Sequence, residues 1–109
     1  MPEQLIGQLR DARERTLCLI QGLDAQQMMG PRLAIVNPLR WEIGHTAYFY
    51  EYWVLRQHLG EHSVFAGVDE LYDSICIAHD DRWDLPLPDL GDTLDYMQAV
   101  QTRVARHLH

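Results

Sequence analysis

Residues 37 to 59 read NPLRWEIGHTAYFYEYWVLRQHL. Asn37 is a good N-cap, and Pro38 suits a first helical position, where its missing N–H loses nothing. Gly60 follows the run and ends it. Between these signals the pattern predicts one long helix, roughly 33 Å at about 1.5 Å per residue. At about 100° per residue, Leu39, Ile43, Ala47, Tyr50 and Val54 share one face. Trp41, His45, Tyr48, Tyr52 and Leu55 share the opposite face. A helix that is apolar on two sides is sandwiched between neighbours, so the fold is read as helix packed on helix.

The flanks agree. Residues 3 to 22 carry Leu5, Leu9, Ala12, Thr16, Leu19 and Leu23 at steps of three and four, which predicts a first amphipathic helix ended by Gly22. Residues 24 to 36 contain Gly30-Pro31, a breaker pair, and read as a connection. The segment 60 to 91 is a long connection. Within it Asp69 to Ala78 (DELYDSICIA) reads as a short helix capped by Asp69. Pro86 and Pro88 keep the RWDLPLPDLG stretch out of a helix. A last helix is expected from Asp92 or Thr93 to the C-terminus, lined by Leu94, Met97, Val100, Gln101, Val104 and Leu108. The expected class is all-α, an up-down bundle of three long helices plus a short one.

A length of 109 residues suits one small domain, spanning 1 to 109. With 16 acidic against 9 basic residues, the formal charge is −7. That excludes a nucleic-acid footprint and docking on anionic membranes, both of which need basic patches. No window approaches the roughly 18 uninterrupted apolar residues of a membrane span. The charged, periodic start MPEQLIGQLRDARER does not read as a signal peptide. Cys18 and Cys76 are read as two buried thiols in a reducing cytoplasm.

Several groups could carry chemistry. His45, on a helix wall between Trp41 and Tyr52, is either a metal ligand in a dry pocket or a core histidine satisfied by one hydrogen bond; the residues alone leave both readings open. His58 and His62 have i, i+4 spacing, but Gly60 between them favours a solvated helix end over a metal pair. His79-Asp80-Asp81-Arg82-Trp83 could bind a small polar substrate, with Arg82 taking a carboxylate, or could be an ion-pair cluster that anchors the connection. Glu51 needs a partner, such as an arginine from another helix, and reads as structural. His107 and His109 point to different faces and have no joint role. No nucleophile elbow, P-loop, dinucleotide fingerprint or HExxH is present.

The pattern Pro38-x-x-Trp41-x-x-x-His45-x-x-x-Phe49-x-Glu51-x-x-x-Leu55 resembles the second helix of the DinB-like four-helix-bundle superfamily. Leu71-Tyr72-Asp73-Ser74, Ala78-His79, Arg82-Trp83 and Leu85-Pro86-Leu87-Pro88 narrow the resemblance. Together they are similar to the N-terminal domain of ergothioneine-type sulfoxide synthases, in the branch that includes selenoneine synthases. The resemblance covers nearly the whole chain. It implies a non-haem Fe(II) held by three histidines, one of them at the place of His45 and two in an HxxxH pair on a fourth helix. It also implies O₂-dependent joining of a thiol or selenol to a trimethylated histidine.

Residues 1 to 109 contain no fourth helix bearing that pair, and His107 and His109 have the wrong spacing to replace it. The resemblance therefore implies an incomplete domain with the fourth bundle helix missing, not catalytic by itself. Such a domain is expected to cover its open face by forming a homodimer. A small thiol or histidine-derived substrate is expected only of the full enzyme. Two other readings stay open: a DinB-like metal-dependent thiol transferase whose site is completed across a dimer, and a purely structural dimerising protein.

Overall fold

A computed structural model describes residues 2 to 108. Helix α1 spans Pro2–Ile20, α2 Ala25–Met29, α3 Leu39–Tyr50, α4 Val68–Tyr72 and α5 Leu90–His107. A π-helix, Glu51–His58, continues α3, and a 3₁₀ turn covers His79–Trp83. There is no strand among the described residues. The all-α reading with three long helices therefore holds. His109 lies outside the described residues.

The core forms where α5 packs along α3. Trp41, Ile43, Ala47 and Tyr48 of α3 and Leu55 of the π-helix meet Tyr96, Met97, Val100 and Val104 of α5. Met28, Val68 and Tyr72 close it from the short helices. Helix α1 lies against α5 and buries only Ile20. No helix among the described residues is long and apolar enough to cross a membrane.

Several local expectations are corrected. The connection 24 to 36 contains α2, closed by a capping box: Asp24 Oδ1 accepts the Gln27 N–H at 2.8 Å, and the Gln27 side chain accepts the Asp24 N–H at 2.9 Å. Pro38, not Asn37, is the cap of α3, and the Glu42 N–H donates to its carbonyl at 2.9 Å. Asn37 instead donates its side-chain amide to Glu42 at 2.6 Å and accepts from Arg82 at 2.9 Å. Helix α4 is shorter than expected and starts after Gly67, at φ 84, so Asp69 lies inside it. Helix α5 starts earlier, at Leu90, because the Asp89 carboxylate accepts the Asp92 N–H at 2.8 Å. Arg82 and Trp83, expected to be non-helical, lie in the 3₁₀ turn. Both cysteines are exposed, not buried.

Candidate functional site

Helix α4 is pinned along one face of α3. The Trp41 indole N–H donates to the Leu71 carbonyl at 2.7 Å, and His45 Nδ1 bonds the Tyr72 carbonyl at 2.8 Å. These are the last carbonyls of α4, which have no partner within so short a helix. Two ring N–H groups one turn apart on α3 supply those partners. Farther along, Tyr48 donates its hydroxyl to Asp69 at 2.5 Å, and Arg56 donates to the same carboxylate at 2.7 Å. These hydrogen bonds hold the Asp69 carboxyl below the usual range, Arg56 contributing most and Tyr48 next. Burial, reinforced by the bond to Asp69, raises the Tyr48 hydroxyl well above its ordinary value.

The contact fixes the tautomer of His45. A carbonyl only accepts, so Nδ1 carries a proton, and in the neutral ring Nε2 carries the lone pair. Trp41 stacks on the imidazole, with centroids 4.5 Å apart and planes 10° from parallel, which fixes its rotation. Nε2 has no hydrogen-bond partner among the described residues. The ring lines a cavity of about 280 Å³ together with Tyr48, Phe49, Tyr52, Trp53 and Asp73. A histidine held through Nδ1 on a backbone carbonyl, with Nε2 bare, has the tautomer and support of a metal ligand.

Gly44 explains why α4 can approach so closely. A Cβ at this position would overlap the Tyr72 ring. Sequence reasoning missed both Tyr72, whose backbone orients His45, and Gly44, which makes room for it. The available signal was a glycine inside an otherwise apolar helix, which usually has a packing reason.

Arg82 stacks on Trp41, and His79 lies edge-on to Trp83. The Arg82 guanidinium is 4.2 Å from the indole centroid. It donates to Asn37 at 2.9 Å and to the carbonyls of Ser74 and Ile77 at 3.3 and 3.1 Å. His79 Nε2 donates to the Val36 carbonyl at 2.6 Å, and its Nδ1 lies 3.2 Å from Asp80. Neither side chain lines the His45 cavity. His58 ends the π-helix, the chain reverses at Gly60 with φ 70, and His62 lies beyond. His107 instead bonds Glu61.

Glu51 is fully buried. One oxygen accepts the Val64 N–H at 2.7 Å, and Arg56 lies 3.9 Å from the other. The arginine comes from the same helix, not from another one as expected. Among the described residues no group of three His, Cys, Asp or Glu side chains is placed to hold a metal ion. A resident ion needs three or more ligands, so these residues fit one corner of a metal site and not a whole site.

A helical bundle that presents one preorganised imidazole beside an aromatic cavity is the class defined by this geometry. A family model of the DinB superfamily matches residues 8–109, and the chain belongs to that superfamily. It is also 31% identical over 105 residues to a hercynine oxygenase of Mycolicibacterium smegmatis, a match covering 93% of this chain. The chain spans 24% of the length of that relative.

Proposed function

We propose that this chain is a ligand-contributing DinB-like module of an iron-dependent enzyme that forms carbon–sulfur or carbon–selenium bonds. In this reading His45 supplies one ligand through Nε2, and the chain alone is not catalytic. The observation that carries the reading is the Nδ1 bond to the Tyr72 carbonyl, which in the neutral ring leaves the Nε2 lone pair without a partner. Imidazole suits iron among other first-row metals. The likeness to a hercynine oxygenase supports the reaction class. Arg82 and His79 then act as anchors of the segment beside Trp41, since His79 Nε2 and both terminal nitrogens of Arg82 are already engaged.

NMR tests this reading directly. The His45 imidazole is expected to show a protonated Nδ1 and an unprotonated Nε2 in nitrogen-15 spectra. Titration with Co(II), a paramagnetic probe, should shift or broaden His45 before His79, and His45→Ala should abolish that first effect. Co(II) entering at His58, His62 or His107 while leaving His45 untouched would sink the ligand assignment. The genomic reading frame past codon 109 tests the parent enzyme separately: an HxxxH pair there supports it, and a stop codon overturns it.

A further inference from the structure

All 9 basic side chains of this chain are arginines. With 16 carboxylates to choose from, most of them find a partner. Arg15 pairs with Asp11, Arg32 with Asp84, Arg56 with Asp69 and Arg103 with Glu61. Arg82 donates to Asn37, and Arg40 sits within electrostatic reach of the Tyr72 hydroxyl. Arg10, Arg13 and Arg106 depart from this pattern. None of the three has a hydrogen-bond or ion-pair partner among the described residues. The Arg13 Nε–H is shut off from solvent and donates to nothing.

These three side chains line one groove between α1 and α5. Glu14 lines it too, yet it makes no ion pair with any of them. Three guanidinium groups against one carboxylate leave the groove with a formal charge of +2, on a chain whose total is −7. Like charges gathered in one place repel, so the cluster favours an anion from outside.

The chemistry of the lining narrows the anion. A guanidinium is a planar fork of donors that matches phosphate oxygens. On the α5 side Thr102 accepts the Gln98 amide at 3.0 Å and keeps its own hydroxyl proton to give. Ile6 and Leu9, both half-buried, add an apolar wall. The groove holds about 480 Å³, the size of a small-molecule pocket and more than a bare phosphate ion needs. Glu14 repels a second anionic group, which favours a ligand with its charge gathered at one end. We infer that this groove binds a small phosphate ester. The arginines take the phosphate oxygens, Thr102 donates to one of them, and Ile6 and Leu9 receive the organic part. The groove shares no lining residue with the His45 cavity, so the site does not depend on His45 or on any metal.

Amide NMR titration of the 109-residue chain tests the site, with phenyl phosphate, inorganic phosphate and benzoate as probes. The salt is set at about 0.15 M, where exposed charges more than about 8 Å apart are largely screened. Phenyl phosphate should shift Arg10, Arg13, Thr102 and Arg106 saturably and bind more tightly than either other probe. Arg10→Gln and Arg106→Gln, both at exposed positions, should keep wild-type helicity by circular dichroism. Each should weaken phenyl phosphate by roughly three- to fivefold, the scale of an exposed charged contact. Arg15→Gln removes the same charge from the same helix outside the groove, and should change the affinity by less than about twofold. Glu14→Gln should tighten binding. Shifts that do not saturate, or that saturate at other residues, overturn the proposal. Equal weakening by Arg15→Gln would mean a response to net charge alone and overturns it too. Benzoate binding as tightly as phenyl phosphate overturns the phosphate assignment.

Discussion

Glu51 shows how one residue can carry opposing demands. Its carboxylate is fully buried, and burial, the largest influence, raises its pKa above the ordinary 4.5. The Val64 amide, the Tyr96 hydroxyl and Arg56 pull the other way, while Asp69 adds to the rise. A carboxyl whose folded pKa is raised stabilises the fold below its unfolded pKa. That contribution is lost as pH climbs through the folded value. At neutral pH the charged form therefore works against the fold. Glu51→Gln keeps an acceptor for the Val64 N–H and removes the buried charge. The variant is expected to be more stable at neutral pH by on the order of 1 kcal/mol, with the advantage shrinking as pH falls toward the carboxylate range. Urea melts at a series of pH values would show this; a variant weaker than wild type at neutral pH would mean that the contacts of the charge outweigh its burial. The need for a partner at Glu51 was legible in the sequence, because a carboxylate among aromatics is not left alone. The source of the partner was not. A 100° wheel sets residue 56 well away from residue 51, whereas the i→i+5 winding of the π-helix brings Arg56 over Glu51.

At the level of elements, the long two-faced helix was readable because its caps and its apolar spacing agree over many residues. One of its faces pins α4, while the other borders α1 across a groove and is less closely packed than the two-sided pattern predicted. The short elements were less legible for a physical reason. Each is decided by one or two hydrogen bonds, not by a summed pattern. The Asp24-x-x-Gln27 box of α2 competed with the Gly30-Pro31 breaker signal, and Asn37 was drawn from capping by Glu42 and Arg82. The contact of α3 with α4 gives a sharp test, because Tyr72 is 1% exposed and its ring has nowhere to go. Gly44→Ala is expected to destabilise by about 1–3 kcal/mol, the usual range for overpacking a filled core. It should also displace the Tyr72 carbonyl from His45. Thermal melts measure the first effect, and loss of the Nδ1-protonated imidazole signature reports the second. Wild-type stability with an unchanged His45 spectrum would show that α4 can yield without disturbing the site.

Across the whole molecule, stability is unevenly distributed. The extents of 41 × 30 × 23 Å describe an elongated body, and its core belongs to α3, the π-helix and α5. Helix α1 lies at the margin with one buried residue. Regions with few buried apolar contacts open at the lowest free energy, so α1 amides are expected to exchange hydrogen fastest among the long helices. Only Leu9 and Leu17 join Ile20 in packing α1 against the core, and both are only partly buried. Mass-spectrometric hydrogen exchange checks the expectation: α1 peptides should exchange ahead of those from α3 and α5, and an α1 as well protected as α5 would make it a full member of the core.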